Sequence, residues 1–215
     1  MRHSLYWDDF DRRASETVTC LNTGTPVPVR RVAVFITQAC NFRCSYCNMP
    51  SRPRTMTEEC FKGIVERYPH AIIHITGGEP SVVPWLYPFI EDHDYRFHLN
   101  TNAYITPPAR HIQRLKVSLD SCDPEYWNSL VGRVAFQQVV DNIKLVSEHT
   151  VTSITYTLTR ENYWHAPLFA QFARAEFPNL YAVFFSVYKG DNPRFAFQPA
   201  DVENFFEYVK PRLYT

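Results

Sequence analysis

The sequence predicts an α/β fold, a partial (β/α)6 barrel in which a parallel sheet carries its helices on the outside. Two observations lead there. From Arg31 onward, short β-rich runs alternate with longer amphipathic ones. Strand, helix, strand repeated along one chain gives a parallel sheet with right-handed crossovers. At roughly 30 residues per unit, the stretch after Val29 holds six units, short of the eight that close a TIM barrel.

The strand runs are RVAVFIT, HAIIHIT, YRFHLNTN, LKVSLDS, SITYTLT and AVFFSVY, each rich in β-branched and aromatic residues. Between them lie helical patterns. TEECFKGIVERY opens on Thr57 with Glu58 and Glu59 in its first turn, an N-terminal signature. VVPWLYPFIEDH, a short PPARHIQR and the long WNSLVGRVAFQQVVDNIKLVSEH follow. NYWHAPLFAQFARAEF is interrupted early by Pro167, and PADVENFFEYVKPRL places Val202, Phe205, Phe206 and Val209 on one face. Residues 1–30, with Gly24, Pro26 and Pro28 near their end, read as a lead-in or cover, and 31–215 as the barrel.

The chain has 215 residues, 45% of them hydrophobic, which suffices for one sizeable core and is short for two domains. Lys plus Arg and Asp plus Glu both number 22, so no basic field exists to collect nucleic acid or an anionic membrane. The start lacks a signal-peptide apolar stretch, and no run approaches the roughly 20 apolar residues of a membrane span. A soluble cytoplasmic protein is expected. In a reducing cytosol its six cysteines read as metal ligands, catalytic thiols or buried apolar residues more readily than as disulfides.

Strand side chains alternate between faces. His74 and Thr76 share one face, as do His98, Asn100 and Asn102; Lys116, Ser118 and Asp120; Thr155, Thr157 and Thr159; and Ser186 and Tyr188. Helices cover the apolar face, so these polar residues point into the barrel, where a hydrophobic plug would ordinarily sit. A polar interior suggests a bound ligand.

In ACNFRCSYCNMP, just past the first strand, Cys40, Cys44 and Cys47 lie within eight positions of one another. That is the edge where barrel active sites are built. Three thiolates can hold three corners of a cuboidal iron-sulfur cluster that normally takes four cysteines, leaving one iron open to an exogenous ligand. A structural zinc would want a fourth protein ligand nearby, yet Pro50 stands where a zinc finger would place a histidine, and the nearest histidines are His3 and His70. Three incidental buried cysteines are the remaining alternative.

C-x3-C-x2-C with Tyr46 before the third cysteine resembles the motif of the radical S-adenosylmethionine (radical SAM) superfamily. Further matches follow in order. Gly77-Gly78-Glu79-Pro80 is similar to that superfamily's GGE segment, and NTNA to the TNG stretch of its MoaA-like and peptide-maturase branches. VSLDSCDPEYWNSLVG resembles the same branches' SLD strand and following helix, and VTSITYTLTREN their fifth strand. Ordered matches at successive strand ends are more specific than the cysteine motif alone.

The resemblance implies that Cys40, Cys44 and Cys47 ligate one 4Fe-4S cluster. The amino and carboxylate groups of S-adenosylmethionine would chelate its free iron. Reductive cleavage would give methionine and a 5'-deoxyadenosyl radical that takes hydrogen from a substrate. By the same resemblance Gly77, Gly78 and Glu79 would hold the methionine ammonium. Asn100 or Asn102, Ser118, Asp120 and Thr157 would serve the carboxylate and ribose, and Tyr46 would sit near the adenine. The implied partners are a peptide or other small-molecule substrate and an external electron donor such as flavodoxin or ferredoxin.

Three departures qualify the resemblance. Ala103 stands where related proteins usually have Gly, and this suggests a different turn. No cysteine cluster follows Cys122, so auxiliary clusters are not expected. YKGD after the sixth strand does not name a substrate. Cys122, just after the fourth strand, is a candidate hydrogen donor to a substrate radical or else a small buried apolar residue. Lys116, His74 and His98 face inward lower in the barrel, to pair with Asp120, bind substrate or hydrogen-bond structurally. Cys20 and Cys60 read as structural. The expected activity is radical modification of a peptide or natural product. Its rivals are a 7-carboxy-7-deazaguanine synthase-like reaction, an activase of glycyl-radical enzymes and, outside catalysis, a metal-binding regulatory domain that retains the fold.

Overall fold

The computed structural model describes residues 2–50 and 52–213, with side chains from residue 11 onward. Six strands form one sheet in the order of the sequence: β1 (Arg31–Thr37), β2 (Ile72–Gly77), β3 (Phe97–Thr101), β4 (Ile112–Ser118), β5 (Thr152–Leu158) and β6 (Ala182–Val187). All five neighbouring pairs are parallel. The helices are α1 (Arg2–Thr23), α2 (Glu58–Arg67), α3 (Leu86–Asp92), α4 (Pro124–Val131), α5 (Phe136–Ser147), α6 (Ala166–Glu176) and α7 (Pro199–Asn204). Among the described residues no helix is long and apolar enough to cross a membrane.

Alternation along the strands decides which side is core. Val34 and Ile36, Ile73 and Ile75, Phe97 and Leu99, Leu115 and Val117, and Ile154, Tyr156 and Leu158 are buried in one cluster with helix residues such as Phe61, Phe89, Trp127, Ile143 and Phe169. Burying one such side chain contributes about 1.5–3 kcal/mol. The other strand face is the concave one. In register it carries Ala33, His74, His98 and Arg114 as one layer, and Thr76, Asn100 and Lys116 as the next.

Several elements depart from the sequence expectation, each for a local reason. PPARHIQR is no helix: Pro107 and Pro108 are buried in an irregular connection, and Ile112 already opens β4. Prolines supply no N–H to a helix, and the stretch is short. The long helix expected over 127–149 is two. Gly132 ends α4 in the left-handed conformation at φ 68°, the usual glycine stop. The carbonyls of Leu130 and Val131 accept the N–H groups of Ser45 and Arg43 at 2.9 Å, so α4 stops where the cysteine loop docks on it. The apolar face expected after Pro199 is split. A π turn at Phe205–Val209 resets the helical phase, so Val209 is buried while Phe206 is 57% exposed.

Residues 1–30 contain α1, described from Arg2, and a connection without regular secondary structure. Glu16 of that helix accepts from Arg30 at 2.5 Å, and Arg13 donates to the Arg30 carbonyl at 3.3 Å. The helix is thus tied to the entry of β1.

Candidate active site

The site forms at the carboxyl ends of β1 to β5, where successive strand ends cross-link one another. At the end of β2, Gly77 has φ 143° and a Cβ there would strike the Thr37 carbonyl; a Cβ on Gly78 would strike that of Ala39. Only glycines let the two strand ends close up, and they do so through Gly78 N–H to Thr37 O at 2.7 Å and Glu79 N–H to Ala39 O at 2.8 Å.

Glu79, 1% exposed, fastens β2 to β3. One carboxylate oxygen accepts from Ser81 N–H at 3.0 Å and the Thr101 hydroxyl at 2.7 Å; the other accepts from Asn102 N–H at 2.6 Å. Burial raises its pKa against the pull of those donors. Asp120, past the end of β4, does the same for β5. It accepts from Thr157 N–H and from the Tyr46 hydroxyl, both at 2.5 Å, and burial raises its pKa too. Tyr46 is thereby drawn from the cysteine loop onto the far side of the rim, where its ring meets the edges of Tyr188 and Phe195 at 6.1 Å. Its own proton is held tightly, first by burial and then by the charge of Asp120.

These residues enclose a cavity of about 230 Å³. Cys40, Cys44, Cys47, Tyr46, Gly77, Gly78, Glu79, Asn100, Asn102, Ser118 and Asp120 all line it. Thr157 and Cys122 do not. Thr157 reaches the site through Asp120, and Cys122 is half-buried against the hydrophobic core. Lys116 makes no pair with Asp120, whose partners are Tyr46 and Thr157; its ammonium instead lies over the Phe184 ring.

The three thiols share the cavity without converging on a point. Among the described residues no three His, Cys, Asp or Glu side chains are grouped to hold a single metal ion, as a tetrahedral zinc would require. Cys40 and Cys44 are raised chiefly by burial, Cys44 to about 12, with Asp120 and the neighbouring thiols adding to it. Trp127 lines the same wall, and its indole N–H is buried without a partner. A thiolate-binding group fits this lining: three soft ligands, an indole whose N–H has no partner, and no lysine or arginine.

Some contributors carry no motif. Phe42 packs edge-on to Trp127 and Tyr104 at 5.6 and 5.7 Å and holds the cysteine loop against the barrel. Asn162, fully buried, donates to the carbonyls of Asp120 and Thr157 and accepts from Thr159 N–H. An asparagine closely following a strand is the only trace of this in the sequence.

A parallel barrel whose carboxyl-rim cavity is lined by three cysteines and, among the described residues, by no fourth cysteine or histidine has the form of an iron-sulfur enzyme. The chain belongs to the radical SAM superfamily: residues 34–173 match that family. This family uses a 4Fe-4S cluster and S-adenosylmethionine. The chain is 35% identical over 141 residues to a GTP 3',8-cyclase of a Sulfurovum species, covering 56% of this chain and 42% of that one. It thus spans less than half of that relative's length. A 7-carboxy-7-deazaguanine synthase of Bacteroides thetaiotaomicron is 30% identical, with 68% of this chain and 73% of that protein covered. Among solved structures, Streptococcus suis SuiB bound to S-adenosylmethionine superposes over 97% of this chain and 53% of its own, at TM-score 0.69 and 14% identity. SuiB bound to precursor peptide SuiA gives TM-score 0.70 at 15% identity. At such identities the likeness is one of fold.

Proposed function

We propose that the protein is a radical SAM enzyme that takes a hydrogen atom from a peptide or peptide-like natural product. The observation that carries this is the single cavity shared by Cys40, Cys44, Cys47 and the Gly77-Gly78-Glu79 turn. A bound 4Fe-4S cluster would supply the electron for reductive cleavage of S-adenosylmethionine. The chain's own residues hold and orient. The three cysteines ligate three irons. The Gly77–Gly78 backbone gives the methionine ammonium a close approach, with Glu79 as the buried negative charge behind it. Asn100, Asn102 and Ser118 offer polar atoms to the carboxylate and ribose. Asp120, with Thr157 behind it, fixes Tyr46 as a wall for the adenine. A flavodoxin- or ferredoxin-type protein delivers the electron.

Peptide modification is preferred because SuiB, the peptide-bound relative in fold, matches nearly the whole chain. The second reading is formation of 7-carboxy-7-deazaguanine, favoured by the 73% coverage of that synthase. Anaerobic reconstitution with iron and sulfide is expected to give about four irons per chain, and then 5'-deoxyadenosine from S-adenosylmethionine and dithionite. Cys44→Ala should lose both. One zinc with no sulfide would overturn the proposal, and 7-carboxy-7-deazaguanine formed when a carboxylated pterin precursor is also supplied would establish the second reading.

A further inference from the structure

Beneath the cofactor cavity the concave face changes character. The rim lining holds Glu79, Asp120 and three thiols and no cation. From the level of the cavity downward, the inward positions of the strands hold His74, His98, Arg114, Lys116 and Ser153, with Thr155 level with the cavity-lining Ser118, and no carboxylate. Lys116 is paired in register with Asn100 on one side and Ser153 on the other, and lies two residues before Ser118, so it stands at the lower edge of the cavity wall, level with Asn100. Its ammonium is 5.2 Å from the Phe184 ring centroid, with no carboxylate within ion-pair reach among the described residues.

Three polar atoms on nearby inward positions of β3 and β5 are without partners. His98, 3% exposed, has a buried Nε2 without a hydrogen-bond partner, and so have Ser153 and Thr155 at their hydroxyls. Buried polar groups are ordinarily paired, and each one left open loses roughly 1–3 kcal/mol. An aggregate of one ammonium and three orphaned polar atoms on one face is what an anion would satisfy. Two aromatic rings flank this floor on the edge strands: Phe184 of β6 is 37% exposed and Phe35 of β1 is 68% exposed, both on inward positions. Solvated phenyl rings on the same face as unpartnered polar atoms suit an organic molecule with an apolar body and an anionic end.

We propose that this floor is the substrate subsite and that the substrate carries a carboxylate or phosphate, seated on Lys116 with the Thr155 and Ser153 hydroxyls and the His98 ring as further partners. The inference rests on the radical SAM reading for calling the ligand a substrate. The anion would anchor the molecule below the cofactor and leave its apolar part beneath the cavity, toward the site of hydrogen abstraction.

Binding of phenylacetate, phenyl phosphate and uncharged benzyl alcohol to the reconstituted full chain, measured by calorimetry, tests this. At least one of the two anions should saturate with a millimolar or lower Kd, and which one it is distinguishes carboxylate from phosphate. Lys116→Met should weaken that anion about tenfold or more, whereas Lys116→Arg and the outer-surface control Lys62→Met should not. Anion binding that is absent in the parent chain, unchanged in Lys116→Met, or matched by benzyl alcohol would overturn the proposal. Iron content and 5'-deoxyadenosine are read on the same preparations. A chain that fails to assemble a cluster yet binds the anion through Lys116 overturns the enzymatic reading and leaves the subsite, and the reverse result does the opposite. Should Lys116→Met fail to fold, Thr155→Val is the second variant, with a smaller loss of the same anion expected.

Discussion

Glu79→Gln separates a carboxylate that holds the rim together from one that serves only a ligand. The carboxylate accepts from Ser81 N–H and the Thr101 hydroxyl on one oxygen and from Asn102 N–H on the other. A glutamine has one acceptor oxygen. If it faces Asn102, its NH2 points at Ser81 N–H, and only the Thr101 hydroxyl can turn round to accept. If it faces Ser81 and Thr101, the NH2 points at Asn102 N–H. Either way one backbone donor is left open, at about 1–3 kcal/mol. Against this, a neutral amide is easier to bury than the carboxylate, whose pKa burial has already raised. The net expectation is a loss of about 1–2 kcal/mol in the iron-free chain, or about 2–8 °C in Tm for a protein of this size. Urea unfolding followed by circular dichroism reads it directly. Iron-free Glu79→Gln with parental stability would refute the rim-tie argument, and a defect confined to S-adenosylmethionine affinity would make Glu79 a ligand group alone.

Three further outcomes follow from the same geometry. Gly78→Ala should destabilise the chain by about 1–3 kcal/mol and lower iron uptake on reconstitution, because its Cβ would strike the Ala39 carbonyl. Ala103→Gly should be nearly neutral in urea titration: it relieves a left-handed φ of 52° at a buried residue, worth about 1–2 kcal/mol, but gives up a buried methyl, about 0.8, and adds unfolded-chain entropy, about 0.5–1. Burial holds His98 down to about 3 against an ordinary 6.5, so between those values the unfolded chain binds the extra proton and stability falls as pH falls. From pH 7 to 5 the parent should lose about 2 kcal/mol that His98→Gln does not, read as the difference between their urea curves.

The ordering of strands and the residues on their inward faces were legible because alternation is a local property. RVAVFIT is β1 to the residue, and Thr57 caps α2 through its side chain as its sequence context announces. The left-handed turn at Ala103 is an instance where composition misleads: the residue differs from glycine, yet it adopts the backbone conformation glycine favours. Hydrogen-bond partners were not legible, since they depend on contacts far apart in the chain. Nothing in NTNA says that Asn102 N–H will be taken by Glu79, and Tyr46 lies 74 residues from the Asp120 that fixes it. The break at Gly132 likewise makes sense only once the cysteine loop is seen to occupy the last carbonyls of α4.

The buried carboxylates give the rim a purpose that hydrogen bonding alone does not require. Neutral side chains would close strand ends at smaller desolvation cost, yet Glu79 and Asp120 are ionisable, nearly inaccessible and placed beside Cys40 and Cys44, whose thiol protons burial already makes hard to remove. Negative charge concentrated in a cavity without lysine or arginine is costly until a cation enters. Iron, a methionine ammonium and a sulfonium are all cationic, so the rim is matched to what the family binds. The floor has the opposite sign, with Lys116 and two neutral histidines at its centre. A molecule that was cationic at its buried end would meet Lys116 unfavourably, and an anionic one at the rim would meet Glu79 and Asp120. On the proposed reading this change of sign would orient an anionic substrate beneath a cationic cofactor, and reversing Lys116 to Glu should invert the preference from phenylacetate to benzylamine in the same calorimetric assay.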